Sequence, residues 1–304
     1  MTQQYDVIII GGGPAGLTAG LYTARARLNA LLIEKGLMGG QIVNAERIEN
    51  FPGFPEGVSG FELGELMHQQ ALKFGLKTLS AEVTGLKPRE KENTIETTEG
   101  NFTAKAVIIA GGTSRQKLDV PGETEFTGKG VSYCAVCDAA FFKDLPVAVV
   151  GGGNSAVTEA VHLAKFASKV VVIHRRNQLR ATRILQDKAF AEPGIEFIWD
   201  SVVREIEGGD FVERIKLQNV KTGKESALAI SGVFISTGFR PNTDYLKDVL
   251  PLDNNGAIVT NTRMETSLPG IYAAGDIRQK TEWQAVTAAG DGATAALNAE
   301  KLLS

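Results

Sequence analysis

One feature limits this chain more than any other: a strand, a glycine turn, a helix and a second strand occur twice with the same spacing. An apolar run over residues 5–10 breaks into Gly11-Gly12-Gly13-Pro14-Ala15-Gly16. A helical pattern then extends through Leu28, and a second apolar run over 30–33 is closed by Glu34. The plan returns at 146–150, followed by Gly151-Gly152-Gly153-Asn154-Ser155-Ala156, a helical stretch to about Ala167, a strand over 169–173 and His174. Twenty-three residues separate Gly11 from Glu34, and twenty-three separate Gly151 from His174, so those two residues fill equivalent slots. A strand feeding a glycine turn at the start of a helix is the core of a dinucleotide-binding unit.

Each unit also has a later apolar strand ending in glycine. One is Val107-Ile108-Ile109-Ala110-Gly111-Gly112 and the other Val233-Phe234-Ile235-Ser236-Thr237-Gly238. With 304 residues, two domains are expected. The last stretch is too short for a core of its own. It offers one more strand and turn over 270–276 and a helical run over about 284–303, read as returning to complete the first domain. The expected fold is α/β: two Rossmann-like three-layer nucleotide-binding domains, residues 1–114 with 244–304, and residues 115–243 inserted between them. The crossings are expected near Thr113-Ser114 and near Arg240-Pro241-Asn242.

Composition narrows the function. There are 34 glycines, well above the ~7% of an ordinary chain, and glycine is spent where backbone must turn tightly or approach a ligand. The net charge of −3 gives no attraction for nucleic acid or an anionic membrane surface. No run reaches the ~20 apolar residues of a membrane span, and residues 1–5 lack the basic stretch and cleavage site of a signal peptide. Cytoplasmic residence is the expectation.

In the first turn, Gly11, Gly13 and Gly16, with Pro14 and Ala15 between them, bring the helix N-terminus to a pyrophosphate. Glu34 is placed to accept from ribose hydroxyls. Ala110 and Gly111 end the neighbouring strand. In the second turn the candidates are Gly151, Gly153, Asn154, Ser155 and Ala156, with Gly238 at the later strand end. Here the acid slot holds His174, followed by Arg175, Arg176 and Arg180. A carboxylate would repel a 2′-phosphate, whereas clustered guanidiniums bind one, so this site points to NADPH. The first site takes NAD or FAD. Ile271-Tyr272-Ala273-Ala274-Gly275-Asp276, with Asp276 set to hydrogen-bond a ribityl chain, favours FAD.

The chain has two cysteines, Cys134 and Cys137. A lone C-x-x-C is read as a reversible dithiol, since zinc needs two more ligands and the three histidines are scattered. A short helix over 139–142 would put Cys137 near its N-terminus. Asp138 has two compatible readings, as a helix N-cap and as the acid that exchanges a proton with the thiolate.

Taken together, the two turns, Gly39-Gly40-Gln41, Ile48-Glu49-Asn50-Phe51-Pro52-Gly53, Cys134 to Asp138, His174 to Arg176 with Arg180, Gly275-Asp276 and Ala288-Ala289-Gly290-Asp291-Gly292 resemble the low-molecular-weight thioredoxin reductases of bacteria and archaea. The resemblance implies a homodimer. It implies that Gly40, Gln41, Asn50, Gln284 and Ala285 lie at FAD, that Cys137 faces the flavin and that Cys134 attacks the disulfide of thioredoxin or a similar small dithiol protein. The chain departs from the family at Trp283, where Arg usually precedes Gln284, at Asn154, where an acid is common, and at Val136, where Thr is frequent. Alternative partners are a peroxiredoxin- or glutaredoxin-like acceptor or ferredoxin as donor; a non-catalytic nucleotide sensor whose cysteines only report redox state is the remaining reading.

Overall fold

A computed structural model describes residues 3–45, 47–90, 92–280 and 282–304. Met1 and Thr2, part of the N-terminal stretch considered above, lie outside the described residues. The chain divides into two units, one running through Ser114 and resuming at Arg240–Ser304, the other Arg115–Phe239.

In the first unit a seven-stranded sheet is built around two long strands. Lys77–Ser80, Ala30–Glu34, Gln3–Ile10 and Gly100–Ile109 lie side by side in parallel. The end of Gly100–Ile109 pairs in parallel with Ile271–Ala273, and its start pairs antiparallel with Asn93–Thr97, which pairs in turn with Val83–Lys87. The β-branched run Val7-Ile8-Ile9-Ile10 explains why this strand sits centrally. Val7 and Ile9 face a helix layer with Leu17, Ala19 and Ala295. Ile8 and Ile10 face the opposite core with Ile95, Leu246 and Ile258. Side chains alternating into two cores define three layers, and each such burial contributes ~1.5–3 kcal/mol.

The helix after the turn, Pro14–Arg25, has proline in its first turn, where a missing N–H costs nothing. It stops short of Leu28 because Arg27 adopts φ 60°, outside the helical region. The last helix, Ala285–Leu303, packs along it. A Cβ on Gly292 would lie 2.0 Å from the Ala15 carbonyl oxygen, so only glycine permits that approach. The helix Gly60–Lys73 is capped by Ser59, whose Oγ accepts from the Glu62 N–H at 3.1 Å.

The second unit repeats the plan. Ile195–Ile198, Lys169–Ile173, Pro146–Gly151, Gly232–Ser236 and Val131–Ser132 form a five-stranded parallel sheet in that order. Val147, Val149, Val170 and Val172 pack on Ala156, Ala160 and Leu163 of the helix Asn154–Leu163. On the other side Ala148, Val150, Val171 and Ile173 meet Val203 and Ile215 of a separate antiparallel sheet, Ser201–Gly208, Val212–Asn219 and Glu225–Ala229. The chain returns to the first unit after Phe239, so residues 240–243 lie with the first unit. Asn242 explains this: its N–H donates to the Gly112 carbonyl at 3.0 Å, its Nδ2 to the Gly111 carbonyl at 2.8 Å, and its Oδ1 accepts from Ser114 Oγ at 2.6 Å. Among the described residues no helix is long and apolar enough to cross a membrane.

Candidate active site

The two glycine turns share one construction. A Cβ on Gly11 would lie 2.3 Å from the Ala110 carbonyl oxygen, and one on Gly151 would lie 2.2 Å from that of Ser236. Each turn is thereby pressed against the neighbouring strand end. Gly13 and Gly153 are the helix N-caps, and neither helix has a side-chain cap. The first-turn N–H groups are thus left for an outside acceptor. The space over them is open, since a Cβ on Gly153 would meet nothing within 4 Å and one on Gly13 only the Gly39 carbonyl oxygen at 4.0 Å. A pyrophosphate fits both cradles.

At the third glycine position the turns differ. A Cβ on Gly16 would fall 1.8 Å from the Gly11 carbonyl oxygen, whereas Ala156 is accommodated and fully buried.

Glu34 accepts from the N–H groups of Gly12 at 2.6 Å and Gly36 at 2.7 Å. It is a fixed edge of the first turn and not a solvated surface acid. Cavities of about 490 Å³ and about 270 Å³ both include it in their walls. The larger also contains Gly11, Lys35, Glu82, Asp244 and Tyr245; the smaller holds Pro14, Ala15, Gly40, Gln41, Ala110, Gly111, Gly275 and Asp276. Gln41 is fixed by donating Nε2 to the Thr113 carbonyl at 2.8 Å. Asn50, Gln284 and Ala285 are not in the walls of these cavities. Asn50 Nδ2 donates to Gln284 Oε1 at 2.9 Å, and Gln284 caps the last helix in a reciprocal box with Thr287. Trp283 immediately precedes that cap and is partly exposed.

The tail strand is shorter than expected, Ile271–Ala273, and Asp276 lies in the 3-10 turn Gly275–Ile277 that follows it, facing Lys280 Nζ at 3.0 Å. Burial pushes its carboxyl above the usual range, Lys280 opposes that, and Asp291 adds to it. Sequence reasoning missed the part played by Asp291. Buried in the second turn of the last helix, it accepts from the Gly275 N–H at 3.1 Å and takes Arg278 on both oxygens at 2.9 Å. The signal was present as the acid in Ala-Ala-Gly-Asp-Gly, but its partners are brought together only by folding.

In the second unit His174 is 4% exposed, its ring against Gly152, where a Cβ would come within 2.4 Å. Burial, then the charges of Arg180, Arg176 and Arg175, hold the imidazole below the ordinary histidine range, so it is neutral near pH 7. The Arg180 N–H donates to the Gly152 carbonyl at 2.7 Å, and Asn154 Oδ1 accepts from the Thr182 N–H at 2.8 Å. The loop carrying Arg180 is thereby pinned to the turn. A cavity of about 590 Å³ has Gly151, Gly152, His174, Arg175 and Arg180 in its wall. Lys117 and Arg204, which the sequence reading did not single out, line it too, with Asp119 as its carboxylate. Gly153, Ser155, Ala156, Arg176 and Gly238 are not in this wall. Its cationic lining suits a phosphate beyond the pyrophosphate.

Cys134 and Cys137 form a disulfide, with Cα atoms 5.3 Å apart. The helix begins earlier than expected. Ala135–Asp138 is a short α-helix with Cys134 as its N-cap, and Ala139–Phe142 follows as a 3-10 turn. The Cys137 N–H donates to Cys134 Sγ at 3.2 Å. Asp138 does not cap the following turn with its side chain. Its Oδ2 accepts from Ser132 Oγ at 2.7 Å instead. Among the described residues no three His, Cys, Asp or Glu side chains gather to hold a metal ion.

Residues 5–293 match the family described as pyridine nucleotide-disulphide oxidoreductase. Thioredoxin reductase of Listeria monocytogenes is 47% identical over 298 residues, 98% of this chain and 93% of that one. Thioredoxin reductase of Bacillus subtilis is 47% identical over 96% of this chain and 92% of its own. The crystal structure of Lactococcus lactis thioredoxin reductase superposes with a TM-score of 0.95 at 45% identity, covering 98% of this chain and 99% of that one. With its two nucleotide cradles and one cysteine pair, the chain belongs to the pyridine nucleotide-disulphide oxidoreductases and, within them, to the FAD- and NADPH-dependent thioredoxin reductases of low molecular weight.

Proposed function

We propose that the chain reduces the disulfide of thioredoxin, or of a similar small dithiol protein, with the first unit as its FAD domain and the second as its NADPH domain. One observation carries the reading: the Cys134–Cys137 disulfide and the arginine-lined nucleotide cavity belong to the same unit, while the other unit offers a cradle edged by Glu34. FAD, when bound, supplies two-electron transfer from NADPH to a disulfide.

The chain's own residues bind and orient. Gly11 to Gly16 receive the FAD pyrophosphate, Glu34 a ribose, Asp276 the ribityl chain, and Gly40 with Gln41 the flavin end; Asn50 and Gln284 act there as a hydrogen-bonded pair. Gly151 to Ala156 receive the NADPH pyrophosphate, and Arg175, Arg176 and Arg180 its 2′-phosphate.

The exit is thiol–disulfide interchange. With both cysteines reduced, the Cys134 thiolate attacks one partner sulfur, the partner's S–S bond breaks, and a mixed disulfide forms as one partner thiolate leaves. Cys137 then attacks Cys134 Sγ, restoring the Cys134–Cys137 bond and releasing the second partner thiolate. Two electrons and two protons pass to the partner, and Asp138 is the acid beside the pair that exchanges a proton. Val136 and Phe141, 39% and 79% exposed, give such a partner apolar surface beside the cysteines.

The reading includes a homodimer, supported by exposed Leu37, Phe61 and Leu66 on the first unit, and a cytoplasmic setting, where a reversible dithiol is kept working. Anaerobic mixing tests the core of it. NADPH is expected to bleach bound flavin far faster than NADH, and the reduced protein to reduce a thioredoxin. No bleaching by NADPH would end this reading, and a panel of small dithiol proteins ranks the acceptors.

A further inference from the structure

Ser132 is a buried polar residue at the end of the short strand Val131–Ser132, two positions before the redox pair. Its Oγ accepts from the Cys134 N–H at 3.0 Å and lies 2.7 Å from Asp138 Oδ2 and 3.4 Å from the Cys134 carbonyl oxygen. A hydroxyl has one proton to give. The shorter contact, to a carboxylate, takes it, and charge-assisted bonds of this kind are the strong ones. The hydroxyl therefore joins the backbone of the attacking cysteine to the acid through Oδ2.

We propose that Ser132 is a positioning residue for thiol–disulfide interchange, its hydroxyl fixing the Asp138 carboxylate against the backbone of Cys134. The proposal rests on the reading of Asp138 as the acid of the exchange. The other ionisable groups near it are accounted for. Helix Asn154–Leu163, packed on the redox helix, carries Glu159, paired with Arg115 at 2.5 Å, and His162, whose ring is 5.4 Å from that of Phe166. Tyr133 gives its hydroxyl to Glu123 at 2.6 Å. The strand Val131–Ser132 and the 3-10 turn Ala139–Phe142 bring no ionisable side chain.

The test follows reoxidation of the dithiol-reduced, FAD-loaded protein by a small aromatic disulfide across pH 5–9, with flavin content and NADPH bleaching measured alongside as controls for folding. Asp138→Asn is expected to slow this interchange by about 10²-fold while NADPH bleaching persists. Ser132→Ala is expected to slow the same step by roughly 5-fold, Ser132→Thr to restore it, and Ser132→Ala to add nothing in the Asp138→Asn protein. Ser132→Gly serves the same comparison if the alanine variant retains too little flavin. An unchanged rate in Ser132→Ala, or a loss of the same factor in the Asp138→Asn protein, overturns the proposal and leaves Ser132 a packing residue. A wild-type profile indifferent to Asp138→Asn is a separate result: it removes Asp138 as the acid, and the inference about Ser132 with it.

Discussion

The two nucleotide cradles have the same backbone and opposite linings. Around Glu34 the larger cavity gathers Glu34, Glu82 and Asp244 against Lys35. Around His174 the corresponding cavity gathers Lys117, Arg175, Arg180 and Arg204 against Asp119. On the proposed reading, glycine supplies the part both ligands share, a pyrophosphate on a helix N-terminus. The residue twenty-three positions on would then set the part that differs, because a carboxylate accepts from ribose hydroxyls while a neutral imidazole leaves the neighbouring guanidiniums free to meet a phosphate. The two units thus share the cradle and differ in the charge of its lining. Only the second unit carries the cysteine pair, between Val131–Ser132 and its glycine turn.

The sharpest way to break that division is at the exit. Cys134→Ser and Cys137→Ser are expected to lower disulfide reduction by about 10³-fold or more, while NADPH still bleaches the flavin. Stopped-flow absorbance separates the two half-reactions. Disulfide turnover surviving either substitution would mean that electrons leave by another route.

A second comparison exchanges the residues at the third glycine position. Gly16→Ala forces a Cβ to within 1.8 Å of the Gly11 carbonyl oxygen, so the turn must open, at a cost of about 3 kcal/mol and with loss of FAD retention. Ala156→Gly removes only a methyl from a helix and costs ~0.5–1 kcal/mol, leaving NADPH use intact. Thermal unfolding and flavin titration of both variants check this. Equal effects would mean that the two turns are not packed differently.

His174→Glu puts the first unit's acid in the second unit's slot. A like charge facing the 2′-phosphate is expected to reduce kcat/KM for NADPH by roughly 50-fold, or ~2 kcal/mol, with NADH changed only a few-fold. The Trp199 ring, 6.5 Å from that of His174, gives a fluorescence readout of nucleotide binding that needs no turnover. Parallel loss of both nucleotides would show that His174 holds the turn together and does not select the phosphate.

Much of this was legible in the chain because the informative signals are local. Strand, glycine turn and helix are consecutive, the acid slot lies at a fixed distance, and both cysteines fall within one helical turn. What could not be read joins distant segments. Lys117 and Arg204 reach the nucleotide cavity from a crossing segment and from a strand of the antiparallel sheet. Asp291 serves Gly275 and Arg278 across a turn of tail. The helix Gly60–Lys73 had a signal that went unused, Ser59 followed three positions later by Glu62. The proposed cap by Asp138 failed because Ser132 competes for its carboxylate.

The smallest expected effect concerns two carboxyls that answer pH in opposite directions. Asp6 of the first unit is held below the usual aspartate range, first by its hydrogen bond from Lys105 and then by the Asn29 N–H. Glu159 of the second is raised, because its burial outweighs the attraction of Arg115. For Asp6 the folded form favours the charged group, so its contribution is present above the unfolded pKa and lost as pH falls through the folded one. For Glu159 the folded form favours the proton, so stability is greatest below the unfolded pKa and lost as pH rises through the folded one. The Asp6–Lys105 pair is half-exposed, which limits Asp6→Asn to about 0.5 kcal/mol at neutral pH and nothing under strong acid. Urea midpoints taken stepwise from acid to neutral pH should therefore separate wild type from Asp6→Asn increasingly as pH rises. The Glu159→Gln variant should gain on wild type over the same range, since the amide does not ionise. Two differences running in the same direction would mean that one of these carboxyls does not titrate as its surroundings dictate.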